Sequence, residues 1–417
     1  MTVLWLAVAI AASCVAIARS DARSTLLCLL AILPGTAAII LPLGGGTGVS
    51  PFWLFAIVMA GLTILFITRV RVLPRIAVVS LAFATWTALS LMCTTLFPNL
   101  MVFAPRGGID EPVLEPLVLS PSQMGQVLYV FLGALIIVNA SLFGKGWREG
   151  LEKAAWVVYA LMAYELTAFF LGLPPLAPIF GNNEAYSFQT QTAFGLPRLH
   201  GPFLEPSQAG MFCGAMFAFS IGQRRRALML ASGVAAFATL GTTGIILVMV
   251  VILAVLLKSA LRLVTSARFQ LLPIVGSLFL LGVSAILVSS APVILNAVEE
   301  ATIGKGDTQS YEVRTAADQY AVGLFLQTGG LGVGMAANRP SSLLAATLGN
   351  LGVPGLLLFS TLIFMCIRSA RGPLAAALAV YILGKVLAGP DFSDPTLWIF
   401  LAACAAEGAS QELESSA

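Results

Sequence analysis

The sequence predicts an all-α, polytopic integral membrane protein, built as one domain over residues 1–417, that crosses the bilayer about thirteen times. Of the 417 residues, 59% are hydrophobic and 10% are charged, whereas soluble domains carry nearer a quarter charged residues. Apolar runs of roughly 20 residues recur along the chain, and each is long enough to cross the ~30 Å hydrocarbon core. Helices are expected because they satisfy their own backbone hydrogen bonds in lipid.

The predicted spans are 2–18, 24–43, 51–68, 76–97, 125–143, 154–172, 208–222, 227–240, 244–257, 269–289, 342–367, 372–388 and 396–406. The first span has no basic residue before it and two after it, which favours a helix over a signal peptide. Residues 227–257 form either two short helices joined by a tight turn or one kinked helix. Two helices are preferred, because only then do all the basic loops lie on the same side of the membrane.

The distribution of Lys and Arg residues supports these spans, because it alternates between inner and outer loops along the chain. With the N-terminus outside, the inner connections hold 16 of the 22 Lys and Arg residues, as the positive-inside rule expects of cytoplasmic loops. The C-terminus is then cytoplasmic, and three long segments lie outside, at 98–124, 173–207 and 290–341. The basic residues are dispersed, so no nucleic-acid surface is expected.

The six cysteines all fall in apolar segments, which argues against a disulfide framework or a zinc site. No carboxylate pair with metal-like spacing stands out. We therefore expect neither a metal nor another cofactor, and the lipid bilayer is the first predicted partner.

One outer segment, 197–207, runs straight into the seventh predicted helix. Arg198 and that helix's N-terminus would together attract an anion, and Ser207 can cap the helix. Glu205 and His200, the chain's single histidine, are the candidate proton acceptors. Alternatively, Glu205 only complements the helix dipole and His200 is an exposed loop residue.

A second outer segment is predicted to form an amphipathic helix near 309–326, which carries Tyr311 and Arg314. Arg314 either pairs with Asp318 on the helix surface or faces a membrane cavity and binds phosphate oxygens. The glycine-rich stretch 329–340 follows. It is either a flexible turn or an irregular segment that brings Arg339 to the same cavity, and it lacks the βαβ context of a dinucleotide site.

Two charged residues fall inside predicted helices, Glu165 in the sixth and Lys385 in the twelfth. Intramembrane charges are costly and are functional candidates by default. The two side chains can pair with each other, or Lys385 can extend to the outer interface.

Residues 198–207, Arg-Leu-His-Gly-Pro-Phe-Leu-Glu-Pro-Ser, resemble the Arg-x-x-Gly-x-Phe-x-Glu-Pro-Ser signature of bacterial O-antigen and capsule polymerases. The downstream order also resembles that family: Arg314 in an outer helix, then Gly332-Val333-Gly334, then Asn338 and a Leu-rich helix that contains Gly349-Asn350-Leu351-Gly352-Val353-Pro354-Gly355. The similarity spans roughly 190–367. The related O-antigen ligases carry a His-Asn pair after the Gly-x-Gly and favour Asn-Pro-Asn in place of residues 205–207; both departures favour the polymerase.

The resemblance implies a GT-C-like glycosyltransferase that joins repeat units carried on undecaprenyl pyrophosphate. The product would be O-antigen, capsule or exopolysaccharide, made at the outer face of the bacterial inner membrane by metal-independent, inverting transfer. A regulator of chain length is a candidate partner. The expected site residues are Arg314, Glu205 and His200 as catalytic groups, and Arg198, Arg339, Tyr311 and Asn338 as substrate-binding groups.

Two alternatives remain open. An O-antigen ligase would use the same lipid-linked donor with a lipid A–core acceptor. A transporter or flippase of lipid-linked oligosaccharides would be expected to show internal repeats and polar residues deep in several helices, whereas this chain concentrates its spare charge in outer segments.

Overall fold

The computed structural model describes residues 2–32, 38–44, 47–67, 73–103, 113–175, 180, 192–193, 195–265, 309–370 and 372–416. Predicted span 269–289 lies outside the described residues, as do parts of all three long outer segments. The side chain of Tyr311 also lies outside them, although its backbone belongs to a helix.

The described residues are mostly helical. The helices are α1 Thr2–Ala18, α2 Arg23–Ala31, α3 Pro51–Ile67, α4 Arg75–Ser90, α5 Cys93–Leu96, α6 Pro121–Phe143, α7 Trp147–Leu171, α8 Pro206–Gln223, α9 Arg226–Ala238, α10 Thr242–Thr265, α11 Gln309–Gln327, α12 Leu343–Ala346, α13 Gly352–Ala370, α14 Pro373–Ala388 and α15 Pro395–Ser416. Three short antiparallel hairpins connect helices: β1 Leu41–Gly44 with β2 Thr47–Val49, β3 Met101–Phe103 with β4 Leu114–Pro116, and β5 Thr192–Ala193 with β6 Leu196–Pro197.

Five stretches among the described residues are long and apolar enough to cross a membrane: Arg75–Leu96, Pro121–Phe143, Trp147–Leu171, Thr242–Ala260 and Leu343–Ala370. Five further apolar helices are shorter, between 10 and 17 residues. The helical membrane class is thus confirmed. Among the described residues, these five stretches do not confirm the predicted count of thirteen crossings.

Predicted span 24–43 is wrong as a continuous helix. Helix α2 ends at Ala31, and the chain turns through the β1–β2 hairpin before α3. Pro34 and Gly35 follow α2 in the sequence, and neither residue favours a helix interior.

Two other predicted spans are interrupted. Span 76–97 breaks at Leu91 and Met92, whose N–H groups donate to carbonyls three residues earlier, at 3.2 and 3.0 Å, instead of four residues earlier. Span 342–367 contains a π-helical turn, Thr347–Leu351, and then Gly352 with a φ of +66°.

Residues 226–265 form two helices, which confirms the prediction of two helices instead of one kinked helix. Helix α9 ends at Ala238, α10 begins at Thr242, and the Thr239 hydroxyl accepts a hydrogen bond from the Gly241 N–H across the turn (3.2 Å). A Cβ on Gly210 of α8 would lie 2.9 Å from the Gly244 Cα, so only a glycine lets α8 and α10 approach this closely.

The contacts between connections separate two ends of the helix bundle. At one end lie the basic loops: Ser24 donates to the Lys145 carbonyl (2.5 Å), Arg225 pairs with Glu152 (3.6 Å), and Arg148 pairs with Glu407. At the other end, residues 198–201 contact the C-terminal part of α7 and the α9–α10 turn.

Labelling of single cysteines tests this arrangement. In a chain whose six cysteines are replaced by alanine, Leu196→Cys and Arg225→Cys should react with a membrane-impermeant maleimide from opposite sides, because the two exposed positions lie at opposite ends of the bundle. Detergent-solubilised protein, in which both positions should react, is the control. Reaction of both from the same side of intact vesicles contradicts the arrangement.

Candidate functional site

The loop 198–205 is fixed between two helices. On one side, the Leu199 N–H donates to the Ala238 carbonyl at the end of α9 (3.2 Å). On the other, the N–H groups of His200 and Gly201 both donate to Oε2 of Glu165 in α7, at 3.0 and 2.8 Å. Leu199 and Phe203 are buried. The loop is therefore part of the packed structure.

His200 is buried, with 6% of its surface exposed, so the alternative of an exposed loop residue is wrong. Its Nε2 lies 3.4 Å from Oε1 of Glu165. A carboxylate in that position orients the imidazole ring. The imidazole therefore faces α7, and its contact with Glu165 gives it a role in holding the loop.

Lys385 does not pair with Glu165. Its buried Nζ lies 3.2 Å from Oδ2 of Asp394, and the Tyr381 hydroxyl donates to the same oxygen. Only 2% of the lysine is exposed, and its side chain extends to the C-terminal end of α14, where Nζ lies 3.3 Å from the position of a Cβ on Gly389. The lysine and its carboxylate join α14 to the start of α15, where Asp394 also accepts the Thr396 N–H (2.9 Å).

Glu205 occupies the N-cap position of α8, and Pro206 is the first helical residue. Proline suits this position because the first helical N–H has no partner within the helix. The predicted cap by Ser207 is wrong, since Ser207 is already inside the helix. Its hydroxyl instead donates to Oε2 of Glu205 (2.9 Å) and so orients that carboxylate.

The guanidinium of Arg198 lies beside the α9–α10 turn, with Nη2 3.8 Å from the position of a Cβ on Gly241. Burial lowers the pKa of Arg198, the nearby charge of Glu205 raises it, and the nearby charge of Arg314 lowers it further. Arg198, Glu205 and Arg314 are therefore close enough to interact electrostatically. We call these three residues the Arg–Glu cluster.

Arg314 comes from α11, more than a hundred residues away in sequence from Arg198. The predicted surface pair with Asp318 is not formed: Asp318 accepts the N–H groups of Ser341 (2.6 Å) and Ser342 (3.3 Å). Among the described residues, no carboxylate lies within 4.0 Å of the Arg314 guanidinium. The cluster thus holds two cations and one carboxylate.

The glycine-rich segment is ordered, so the flexible-turn alternative is wrong. Val333 and Gly334 donate to the carbonyls of Gly349 and Asn350, each at 2.9 Å. Gly332 has a φ of +81°, and a Cβ there would lie 2.6 Å from the Asn350 carbonyl. The two segments singled out by the resemblance therefore pack directly against each other.

Asn338 is held by Asn350 through two hydrogen bonds of 2.9 Å: its N–H donates to the Asn350 carboxamide oxygen, and its carbonyl accepts from the carboxamide nitrogen. Its own Oδ1 accepts the Phe103 N–H (3.0 Å). Its Nδ2 is buried and has no hydrogen-bond partner among the described residues. That donor is the part of Asn338 that can contact a ligand.

Arg339 follows Asn338 and is partly exposed. Two residues later, the Ser341 hydroxyl donates to the Arg314 carbonyl (3.4 Å), which ties this turn to α11. The structure thus brings Arg198, Glu205 and Arg314 into one cluster and ties the turn carrying Arg339 to Arg314. His200 faces α7 instead, and the Tyr311 side chain is not described.

The residues that position the site were not predicted as such. Asp318 and Asn350 hold the 338–342 turn, and Glu165 holds the 198–205 loop. For Glu165 a signal existed, because a charge inside a membrane helix is costly and needs partners from elsewhere. Asn350 carries no comparable signal, since an asparagine in an apolar run does not indicate which backbone it contacts.

No protein-family model matches the chain, and no curated protein matches its sequence. Among the described residues, no group of three or more His, Cys, Asp or Glu side chains could hold a metal ion.

Substitution of Gly352 tests the packing of the two segments. Gly352 has φ +66° and ψ −163°, a region open essentially to glycine alone, and a Cβ would lie 2.2 Å from the Gly330 carbonyl. Gly352→Ala should therefore destabilise the protein by at least about 1–3 kcal/mol and lower the Tm measured in detergent.

The matched control is Gly323→Ala in α11, where a Cβ meets nothing within 4 Å. Alanine there should be neutral or stabilise the helix by about 0.5–1 kcal/mol. Equal Tm values for the two variants would contradict the packing.

Proposed function

We propose that this protein is a membrane glycosyltransferase that polymerises oligosaccharide repeat units carried on undecaprenyl pyrophosphate. The observation that carries the proposal is the Arg–Glu cluster, in which Arg198 interacts electrostatically with the oriented carboxylate of Glu205 and with Arg314 from a distant part of the chain. Such a cluster suits a reaction with an anionic leaving group and a proton to remove.

In the proposed reaction, a hydroxyl oxygen of the acceptor sugar attacks the anomeric carbon of the donor sugar. The bond between that carbon and the pyrophosphate oxygen breaks, and its electron pair leaves with undecaprenyl pyrophosphate. Glu205 accepts the hydroxyl proton. Direct displacement inverts the anomeric centre.

The two arginines supply the electrostatic stabilisation. Negative charge grows on the pyrophosphate as the bond breaks, and guanidinium groups that are already positioned and half-buried stabilise that charge better than groups in bulk water. Their planar forks match phosphate oxygens. Arg339 and the free donor of Asn338 are proposed as further substrate contacts, and Tyr311 is retained as a candidate because its backbone lies three residues before Arg314 on α11.

The finer topology belongs to the same proposal. Thirteen crossings, an outer N-terminus and a cytoplasmic C-terminus would place the basic loops inside and the cluster at the outer face of a bacterial inner membrane. This is supported by the contacts that gather basic connections at the end opposite residues 198–201. A GT-C-like framework and a partner that regulates chain length are part of the expectation drawn from the resemblance.

Replacement of Arg314 tests the central role of the cluster. With purified protein and one lipid-linked repeat unit, the wild type should produce a ladder of longer glycans. Arg314→Ala should lower kcat/KM about 10²–10³-fold, the cost of losing one donor that stabilises a developing anion. Arg314→Lys should retain part of the wild-type kcat/KM, since lysine keeps the positive charge but lacks the planar guanidinium group.

Arg368→Ala, an exposed arginine at the C-terminal end of α13, is the control and should leave the rate unchanged. An Arg314→Ala ladder equal to the wild type contradicts the scheme. Product only after lipid A–core is added would identify a ligase. Movement of the substrate across the membrane without new bonds would identify a transporter.

Replacement of Glu205 tests the proton acceptor. Glu205→Gln keeps the size and the possible bond from Ser207 but removes the basic carboxylate, so kcat should fall about 10²–10⁴-fold while donor binding is retained. Ser207→Ala, which only frees the carboxylate to rotate, should cost much less. A Glu205→Gln variant with normal kcat would assign the base to another residue.

A further inference from the structure

Glu165 is a carboxylate inside a membrane helix, six residues before α7 ends at Leu171. A charge within a spanning helix is expensive. Its presence therefore calls for donors that stabilise it.

The donors are supplied by the 198–205 loop. Oε2 of Glu165 accepts two backbone N–H groups, those of His200 (3.0 Å) and Gly201 (2.8 Å), and Oε1 lies 3.4 Å from Nε2 of His200. Both oxygens are therefore engaged by two adjacent loop residues. Left without this carboxylate, two largely buried N–H groups would lack an acceptor, at a considerable cost in free energy.

The loop also fits closely against α7. Gly201 has a φ of +56°, and a Cβ there would lie 3.0 Å from Cγ of Met162, one turn before Glu165. Only glycine adopts this conformation at so close an approach without strain. The backbone of the loop is thus held in place along a full turn of the helix.

What the loop positions is the Arg–Glu cluster. Arg198 lies two residues before His200, and Glu205 lies four residues after Gly201. On the other side, the loop backbone is joined to α9 through the Leu199 N–H. Without the contacts to Glu165, the loop keeps its link to α9 and the buried side chains of Leu199 and Phe203, but its backbone at 200–201 loses its acceptor, and we expect Arg198 to shift relative to Arg314.

We propose that Glu165 is a positioning residue for the glycosyl transfer: it holds the 198–205 loop so that Arg198 and Glu205 meet Arg314 in reactive geometry. The inference rests on the proposed function. Glu165 acts through the loop backbone and does not touch the substrate. A glutamine retains a carboxamide oxygen for the two N–H groups, whereas an alanine retains no acceptor.

The experiment compares Glu165→Ala and Glu165→Gln by steady-state kinetics and by amide hydrogen exchange of residues 198–204. Glu165→Ala should speed exchange at His200 and Gly201 and lower kcat/KM about 100-fold, the scale of an ~1 Å misplacement. Glu165→Gln should lose less than about tenfold, since most of the hydrogen bonding is kept.

Glu149→Gln is the matched control. Glu149 lies on the same helix, at its exposed N-terminal end next to Lys153, far from the loop, and should leave both measurements unchanged. Gly201→Ala provides an independent variant: it pushes the loop away from Met162 with Glu165 intact and should change exchange and kcat/KM in the same direction as Glu165→Ala.

The outcomes separate the two proposals. Faster exchange in Glu165→Ala with no polymerisation by the wild type would overturn the proposed function and leave the anchoring of the loop standing. Polymerisation by the wild type, with neither exchange nor kcat/KM altered in Glu165→Ala, would overturn the inference. If Glu165→Gln and Glu165→Ala were equally inactive with unchanged exchange, Glu165 would be the proton acceptor, which also overturns it.

Discussion

The structure of the candidate site depends on how one carboxylate in a membrane helix satisfies the backbone of a loop. By accepting the N–H groups of His200 and Gly201, Glu165 replaces the water that this backbone would otherwise need. The loop can then be buried at the end of the bundle, and its direction into α8 is set. Helix α8 then begins with Glu205 at the N-cap and Pro206 as its first helical residue. The positions of Arg198 and Glu205 therefore depend on the contact between Glu165 and the backbone at 200–201, which neither of them makes.

The other half of the site is built by similar means from different residues. Asp318 accepts two N–H groups of the 341–342 turn, and Asn350 pairs with the backbone of Asn338 in both directions. Around them, glycines allow the 329–334 segment to lie directly on the π-helical turn. Each half is therefore fixed by buried or partly buried side chain–backbone hydrogen bonds, which are worth most where water is excluded. The Arg–Glu cluster forms where the two halves meet.

The sequence predicted the features that depend on local pattern. Hydropathy located the apolar helices, and the basic residues indicated which connections share an end. The turn within 226–265 was preferred because it keeps the basic loops on one side of the membrane. The sequence also directed attention to Arg198, Glu205 and Arg314. It missed the helix interruptions at Ala31, Leu91 and Thr347, because an apolar composition does not reveal where the regular backbone hydrogen bonds of a helix end or change. The partners of His200, Asp318 and Lys385 were wrong or unknown for another reason: each is a contact between residues brought together only by tertiary packing.

The closeness of Arg198 and Arg314 has a thermodynamic consequence. Arg198 is partly desolvated, which disfavours its charged form more than the repulsion from Arg314 does, while the nearby charge of Glu205 favours that form. A bound anion would further stabilise the charged form of Arg198. Whatever anion fits between the guanidinium groups therefore favours the assembled bundle over states in which its halves separate, so ligand occupancy and the cohesion of the protein are linked quantities. Under the proposed function, the same interaction would oppose release of the charged product, so departure from the site, as well as bond making, would depend on this pair of arginines.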